Sequence, residues 1–435
     1  MFSNVLDRER YPLAARRWGI ILGSVLVVAV AAALASARTM PFMFAVTVAS
    51  FLAAAAVRGL FGSAVPKRGP VFWHLAVFLL YAMASAAWAL EPASSLLWTS
   101  MAFLVALGTL ALMQLLAEES HANLVHMGEG LWAAYVVALL YLFIEIVTDQ
   151  SIKLWIYNAV GLSSADLPHA GLFEWSDNRL VAIAEEDLTR NMAPVTLFLW
   201  PAVLAVVGTF TRERAAAVAI LLVALAGTVV VLSLHGTSKL AFFGGLAVFI
   251  AARFASRLTG RLLVIGWVIA CLAVLPTALI AHRFDLQDAG WLQPSTRHRI
   301  VIWNYTAEEV LKAPWFGVGA RTTYVLGPRL ERTLPAPSDE PLRRTLSTHS
   351  HSVYLQTWFE LGLIGATLLT LLGLAILHAI RPLALSLQPY AYATFASAAI
   401  MAAASYGMWQ FWFVSMFGLC AALFALGANL SLKRE

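Results

Sequence analysis

The sequence predicts an all-α integral membrane protein, because its composition is far too apolar for a soluble chain. Of the 435 residues, 60% are hydrophobic and 12% are charged, and the mean hydropathy is +0.77. Soluble domains carry roughly 25% charged residues, so most of this chain must lie in lipid. Since a spanning helix takes roughly 20 apolar residues, the length allows about twelve transmembrane helices but no large soluble domain.

Twelve apolar stretches have the length of a transmembrane helix. They lie near residues 18–36, 41–58, 71–90, 95–116, 129–147, 192–210, 215–233, 239–255, 262–281, 352–379, 388–407 and 409–430. Each is apolar enough to cross the hydrocarbon core of a bilayer. The first is expected to be retained as a span, since no small-residue cleavage pattern interrupts it.

Lysine and arginine set the expected orientation of these helices. If the first helix starts in the cytoplasm, nearly every inner connection carries a cation, as the positive-inside rule requires. The cations are Arg8, Arg10, Arg16, Arg17, Arg58, Lys67, Arg68, Arg212, Arg214, Arg253, Arg257, Arg261, Arg381, Lys433 and Arg434. Residues 118–126 form the one inner connection without lysine or arginine. Both termini are therefore expected in the cytoplasm.

Two long connections, residues 150–190 and 282–350, fall on the outer, periplasmic face in this arrangement. They divide the chain into residues 1–281 with helices 1 to 9, a long loop of residues 282–351, and residues 352–435 with helices 10 to 12. Long loops without a domain of their own are usually functional or disordered. The second loop is not composed like a disordered tail, so it is expected to fold.

The second loop contains an amphipathic run that predicts short helices on the membrane surface. The run is IVIWNYTAEEVLKAPW, in which apolar and polar residues recur at helical spacing. Ser295 or Thr296 is the expected N-cap, and Pro314 is the expected stop.

Arginine dominates the charge of this loop. Eight of its nine cations are arginine, against seven carboxylates. The cations are Arg283, Arg297, Arg299, Lys312, Arg321, Arg329, Arg332, Arg343 and Arg344. Paired with the carboxylates, they would form an ordinary solvated surface. Alternatively, because the planar guanidinium binds phosphate oxygens in a bidentate fashion, some of them would form an anion site.

Two histidines precede the tenth apolar stretch. His349 and His351 lie in the run STHSHS, immediately before Val353. Histidine titrates near neutral pH and therefore suits a general base at a water-accessible site. The alternative is that either imidazole only orders the loop through hydrogen bonds.

The motifs of this loop resemble the signature of the O-antigen ligase and polymerase superfamily. They are the run from Ser295 to Arg299 followed by Trp303, the run from Ala313 to Gly319, and the run from His349 to Ser352 followed by Gly362 and Gly365. Members have an arginine four residues before a tryptophan, a proline leading into Gly-x-Gly, and a histidine followed by asparagine where the next span starts. Ser352 stands where asparagine is usual, so His349 is kept as a second candidate beside His351.

The resemblance implies a GT-C-like fold and an inverting glycosyltransferase of the bacterial inner membrane. Such an enzyme moves the O-antigen glycan from undecaprenyl diphosphate to a sugar hydroxyl of lipid A-core at the periplasmic face. Its partners are these two lipids and the surrounding membrane lipids, with no nucleic acid, metal or other cofactor. Cations over the leaving diphosphate and a base near the acceptor hydroxyl would supply the chemistry.

Roles for individual residues follow from the resemblance and from their positions. The base is His351 or His349, and the residues expected to bind the diphosphate are Arg299, Arg190, Arg297 and Lys239. Trp303 shares a helix face with Arg299 and would anchor it in the membrane interface. Gly317 and Gly319 would form a tight turn that brings backbone amides close to an anion. Arg190 has a plainer alternative, a side chain extended to the interface from a helix end.

Other functions stay open at this point. O-antigen polymerase and protein O-oligosaccharyltransferase share the superfamily, although the arginine ten residues before a glycine that is known for the polymerase is missing from both long loops. A lipid-linked glycan flippase or transporter is the alternative of a different class. The spans are almost free of charge, with Glu360 the clearest exception, which disfavours transport. The nearest approach to a metal site is Glu185-Glu186-Asp187.

Overall fold

Helices make up nearly all of the structure, which confirms an all-α integral membrane protein. The computed structural model describes residues 13–166, 171–177, 179–333 and 346–434. Its α-helices are α1 (Leu13–Ala35), α2 (Met40–Val57), α3 (Pro70–Ala84), α4 (Pro92–Glu118), α5 (His121–Val147), α6 (Ser151–Val160), α7 (Met192–Thr209), α8 (Arg212–Leu232), α9 (Gly236–Leu272), α10 (Val274–Arg283), α11 (Pro294–Lys312), α12 (Thr322–Thr333), α13 (Val353–Ile380), α14 (Gln388–Ala403) and α15 (Phe411–Leu432). Two antiparallel strands, β1 (Phe173–Ser176) and β2 (Arg179–Ile183), form a hairpin.

Ten helices of the described residues are long and apolar enough to cross a membrane. The difference from twelve predicted spans has two causes. The 37 residues of α9 form two helices that meet at a break at Ala255 (φ −142°, ψ 57°), so the stretch 239–255 and the start of 262–281 are counted as one span. α14 has 16 residues, which is short for a full crossing.

The chain forms two compact units, each with its own core. Unit 1 comprises residues 1–65, 109–244 and 416–435, and unit 2 comprises residues 66–108 and 245–415. In unit 1, α7 is the central helix, and it is buried along nearly its whole length. In unit 2, α13 packs against α3, α11 and α14. Because α13 begins directly after the two histidines, the core of unit 2 holds that segment in place.

At one end of unit 1, connections predicted on the cytoplasmic side contact one another. Arg58 forms a bidentate ion pair with Glu119, in which Nη2 lies 3.1 Å from Oε2. The ammonium of Lys433 donates to the carbonyl oxygens of Glu119 and Ala117 at 2.6 and 2.7 Å. The connection 118–126, which has no cation of its own, therefore receives two from its neighbours.

At the other end of unit 1, segments predicted on the outer face contact one another. The side-chain amide of Asn191, at the start of α7, donates to the carbonyl oxygens of Leu34 and Ala35 at 2.9 and 2.6 Å. These carbonyls end α1 and have no partner within the helix, so Asn191 satisfies them.

In unit 2, two connections predicted on the cytoplasmic side meet in the same way. The hydroxyl of Ser256, at the break in α9, donates to the side-chain oxygen of Gln388, at the start of α14. The contacts within each unit therefore group the connections into the sets that the charge pattern predicts. Which set faces the cytoplasm is a prediction from charge alone.

The amphipathic run of the second loop forms α11, as predicted. The helix ends just before Pro314, the expected stop. Its start differs from the prediction, because Gln293 is the N-cap residue and Pro294 follows in the first turn. Proline suits that position, since its φ is already helical and its missing N–H would have had no partner. Capping by Ser295 or Thr296 is therefore wrong.

The orientation can be tested with alkaline phosphatase fusions, since this enzyme folds only where its disulfides form. A fusion after Ser338, in the predicted periplasmic loop, is expected to be active. A matched fusion after Ser386, in a predicted cytoplasmic connection, is expected to be inactive at the same expression level. The reverse pattern would contradict the orientation. Arg8 and Arg10, which support it in the sequence, lie outside the described residues.

Candidate active site

A fully buried carboxyl organises the motifs of unit 2. Glu360 lies in α13, and its oxygens accept hydrogen bonds from the backbone amides of Arg321 (2.7 Å) and Thr323 (3.1 Å), where α12 begins. They also accept from the side chains of Gln356 (3.1 Å) and Trp409. A buried carboxyl needs such partners, and Glu360 has four. It therefore joins α12, α13 and the connection before α15.

The Gly-x-Gly segment packs against a break in α13. Gly362 has φ 63° and ψ −162°, which interrupts the helix. The amides of Val318 and Gly319 donate to the carbonyl oxygens of α13 at 3.1 and 2.8 Å. A Cβ at Gly317 would lie 2.5 Å from the backbone carbonyl carbon of Glu360. The glycines thus permit close backbone packing, and the expectation that this turn offers amides to an anion is wrong for Val318 and Gly319.

Trp303 ties α11 to the histidine segment. Its indole nitrogen donates to the carbonyl oxygen of Ser350 at 2.8 Å. Its ring packs against a buried cluster that contains Ala307 and Leu355. The indole N–H of Trp303 is thus satisfied within the protein, and its role as an anchor in the membrane interface stays a prediction.

His351 is held in a defined orientation and protonation state. Its backbone is left-handed (φ 55°), an uncommon conformation for a residue other than glycine. Its Nδ1 lies 2.9 Å from the carbonyl oxygen of Ser405. Because a carbonyl only accepts hydrogen bonds, Nδ1 carries the proton, and Nε2 keeps a lone pair. The side chain is therefore arranged to accept a proton at Nε2.

The surroundings of His351 keep it neutral. Its pKa is lowered to about 4, mainly because burial disfavours the imidazolium ion. The charges of Arg299 and His298 act in the same direction, and the hydrogen bond to Ser405 opposes them. At neutral pH the free protein therefore presents an unprotonated Nε2.

His349 lies directly against His351. The centroids of the two rings are 4.1 Å apart, and Nδ1 of His349 lies 3.0 Å from the hydroxyl oxygen of Thr348. Gly407 leaves the space for this arrangement, since a Cβ there would lie 2.9 Å from the Cβ of His349. The structure thus brings together the two imidazoles that the sequence singled out.

Arg299 is a half-buried cation without a carboxylate partner. Burial lowers the pKa of its guanidinium, so the charge is held at an energetic cost. In the part of the chain that the structure describes, no carboxylate oxygen lies within 4 Å of it. A half-buried guanidinium favours the binding of an anion, because oxygens of the anion replace the water molecules that burial removes.

Other arginines of the same loop already have partners. The guanidinium of Arg321 lies over the rings of Trp98 and Tyr324, at 3.9 and 4.2 Å from their centroids. Arg329 forms an ion pair with Glu91 at 2.7 Å. Arg329 thus fits the interpretation of an ordinary ion-paired surface, and an anion site at Arg299 stays a prediction. The side chain of Arg332 and all of Arg343 and Arg344 lie outside the described residues.

The remaining predicted phosphate ligands are divided between the units. Arg297 lies in unit 2, and its Nε is buried with no hydrogen-bond partner among the described residues. Arg190 and Lys239 lie in unit 1, at the start of α7 and in the first turn of α9, and both are half-buried. Their role in binding an anion rests on the resemblance.

The carboxylates of the acidic run Glu185-Glu186-Asp187 are either in ion pairs or exposed to solvent. Asp187 forms ion pairs with Lys153 and with Arg38, the latter at 4.0 Å. Glu185 and Glu186 are exposed to solvent. The described residues contain no group of three side chains that could bind a metal together.

Residues 404–410 contribute to the site although their sequence does not single them out. Apolar and aromatic residues on both sides make this connection look like part of two consecutive spans. The structure shows that it supplies the carbonyl of Ser405, the space at Gly407 and the indole of Trp409. The only local signal is the polar interruption at Gln410, which is too weak to locate a site.

Ser352, which stands where the family pattern has asparagine, is the N-cap of α13. Its hydroxyl accepts from the backbone amide of Leu355 at 3.4 Å and caps α13. Serine and asparagine are about equally good N-caps. The departure at Ser352 therefore leaves the start of α13, and with it His351, in place.

Comparison with known proteins agrees with these motifs. Residues 197–370 match the family model described as O-antigen ligase, a range that includes all the motifs of unit 2. Over these residues the chain is similar to that family. Among curated relatives, a protein named as a polysaccharide ligase of Rickettsia conorii is 26% identical over 233 residues, or 52% of this chain and 54% of the relative. One of Rickettsia felis is 27% identical over 231 residues, or 52% and 55%. The chain thus spans about half the length of the curated relatives it matches.

The charge of Arg299 is expected to control the titration of His351. In the parent protein, His351 should stay neutral and protonated at Nδ1 until the pH falls to about 4. Arg299→Gln removes a charge that disfavours the imidazolium, so the pKa of His351 should rise. The measurement is the ¹⁵N spectrum of the protein in liposomes with its histidines labelled. The His351 signal is assigned as the one that is missing from the spectrum of the His351→Gln variant. Arg297→Gln is the control, since Arg297 does not contribute to this pKa. An imidazolium at pH 6 in the parent would contradict the geometry.

Proposed function

We propose that this protein is an O-antigen ligase, an inverting glycosyltransferase of the bacterial inner membrane. It transfers the O-antigen glycan from undecaprenyl diphosphate to a sugar hydroxyl of lipid A-core at the periplasmic face, with both termini in the cytoplasm. One observation carries the proposal: Trp303 of α11, the helix that carries Arg299, donates to the carbonyl oxygen of Ser350 between two histidines whose rings lie 4.1 Å apart. The match of residues 197–370 to the O-antigen ligase family supports the class of reaction.

Arg299 is proposed to bind the diphosphate of the donor. As the bond between the anomeric carbon and the bridging oxygen breaks, negative charge grows on the leaving diphosphate. The planar guanidinium can hold two of its oxygens at once. Partial burial strengthens this interaction, since the surroundings screen charge less than water does. Arg297 is proposed as a second ligand in unit 2. The proposal that Arg190 and Lys239 bind the diphosphate rests on the resemblance alone.

His351 is proposed to accept the proton of the acceptor hydroxyl. The hydroxyl oxygen attacks the anomeric carbon from the face opposite the diphosphate, so the configuration inverts. A new carbon–oxygen bond forms, the old one breaks with its electron pair going to undecaprenyl diphosphate, and the proton passes to Nε2. The carbonyl of Ser405 stabilises the imidazolium through Nδ1–H. His349 is the second candidate for this role.

The proposed reaction needs no metal, because guanidinium groups can stabilise the charge of the leaving group. The ion pairs of Asp187 with Lys153 and Arg38 support this assignment, since they occupy the carboxylate that would be central to a metal site. The activity of the purified protein is therefore expected to persist in excess EDTA.

A deletion strain distinguishes the ligase from its relatives. Loss of the whole lipopolysaccharide ladder, with lipid-linked polymer accumulating, is the result expected for a ligase. A single repeat on lipid A-core would identify a polymerase instead. An unchanged ladder with unmodified glycoprotein would identify a protein transferase. Accumulation of lipid-linked glycan on the cytoplasmic face would identify a flippase.

Substitution of the histidines tests the proposed base. Glutamine can replace a hydrogen bond but cannot accept the proton, so His351→Gln should bind the lipid donor normally and lose about 10²–10⁴-fold in rate. His349→Gln should keep a measurable fraction of the activity. His74→Gln is the matched control, since its imidazole bonds to Pro70 within its own helix. Near-parental ligation by both His351→Gln and His349→Gln would eliminate a histidine base.

Substitution of Arg299 tests the proposed diphosphate contact. A charge-assisted hydrogen bond is worth about 1.5–3 kcal/mol, so Arg299→Ala should slow turnover roughly ten- to a hundredfold. Arg329→Ala removes an arginine of the same loop from an exposed ion pair and should change the rate little. Arg299→Lys restores the charge without the planar fork. If Arg299→Lys is as active as the parent, bidentate binding is wrong.

A further inference from the structure

A cavity opens where α9 breaks, at the end of unit 2 away from the histidines. It has a volume of about 680 Å³ and is lined by residues 252–258 of α9 together with Leu385, Ser386 and Pro389. The histidine segment precedes α13, whereas Leu385 and Ser386 follow it, so the length of that helix separates the two places. None of the residues of the candidate active site lines this cavity.

Arginines line the cavity without counterions. Arg253 and Arg257 are both exposed and both form part of its wall. Arg261 and Arg381 lie in the same two connections. The stretches 245–284 and 361–415, which include the break in α9 and the connection between α13 and α14, contain no aspartate or glutamate. The positive charge is therefore not neutralised within these stretches, and an anion from outside would be favoured.

Apolar side chains surround the arginines. Phe254 is 88% exposed, Leu385 71% and Leu258 55%. The helix is interrupted at Ala255, next to Phe254. The hydroxyl of Ser256 donates to the side chain of Gln388 and so connects this break to the start of α14. The cavity thus combines a cationic wall with apolar side chains beside it. A small inorganic anion would satisfy the arginines and leave the apolar side chains uncovered.

We propose that this cavity binds the headgroup of an anionic phospholipid. The guanidinium groups of Arg253 and Arg257 hold the phosphodiester oxygens, and the acyl chains lie against Phe254, Leu258 and Leu385. Basic pockets between transmembrane helices bind anionic headgroups on the cytoplasmic side of membranes, where this end of unit 2 is predicted to lie. The inference is independent of the proposed ligase activity.

Native mass spectrometry of the full-length protein in detergent tests the site. The probes are dioleoyl phosphatidylglycerol, dioleoyl phosphatidylcholine with the same acyl chains, and inorganic phosphate. The parent should retain phosphatidylglycerol in preference to phosphatidylcholine. Arg253→Gln combined with Arg257→Gln should weaken phosphatidylglycerol binding roughly thirtyfold, as expected for two cations near a lipid headgroup, and leave phosphatidylcholine binding unchanged.

Two matched double variants complete the experiment. Arg212→Gln with Arg214→Gln removes two exposed arginines outside the cavity and should leave binding unchanged. Arg253→Lys with Arg257→Lys keeps the charge and should bind phosphatidylglycerol better than the glutamine pair. A thermal unfolding scan confirms that each variant is folded.

Three outcomes would overturn the proposal. The first is equal retention of phosphatidylglycerol and phosphatidylcholine by the parent. The second is an equal loss of binding in the control pair, which would mean that net charge alone is responsible. The third is displacement of phosphatidylglycerol by inorganic phosphate at the same concentration, which would mean that the cavity binds a free anion.

Discussion

The hydrogen bonds of Glu360 are the interaction on which the candidate active site of unit 2 depends. This carboxyl is fully buried and holds donors from three separate elements. Each buried donor left without an acceptor would cost about 1–3 kcal/mol, against a total stability of about 5–15 kcal/mol for a typical protein. The position of Glu360 two residues before the break at Gly362 also explains why the Gly-x-Gly segment can pack against the helix backbone there.

The charge relations around His351 connect donor binding with base strength. In the free protein, the Arg299 cation and burial both keep the imidazole unprotonated, and they also make it a weak base. An anion bound to Arg299 would cancel much of that cation's effect, so the pKa of His351 would rise when the site is occupied. Under the proposed function, His351 is therefore a stronger base with the diphosphate bound than without it. This arrangement would limit wasteful hydrolysis of the donor by a permanently strong base.

The sequence predicted the helical architecture well, and it predicted the tertiary contacts only in part. Apolar stretches and distributed cations reveal helices and their grouping because both follow from the bilayer, which acts on each segment separately. The amphipathic run of α11 was predicted for the same reason. The breaks at Ala255 and Gly362 were not, since they depend on packing against segments far away in the chain. The distinction between Arg299 and the paired Arg321 likewise depends on partners that no local pattern shows.

The ion pair of Glu119 has a consequence for how the chain enters the membrane. The connection between α4 and α5 has no cation of its own, and it is held by Arg58, 61 residues earlier, and Lys433, 314 residues later. During synthesis on the ribosome, Arg58 has already emerged when this connection inserts, whereas Lys433 has not yet been made. Arg58 is therefore the only one of these two cations that can act on α4 and α5 as they first insert. Lys433 can contact their connection only after the rest of the chain has been made.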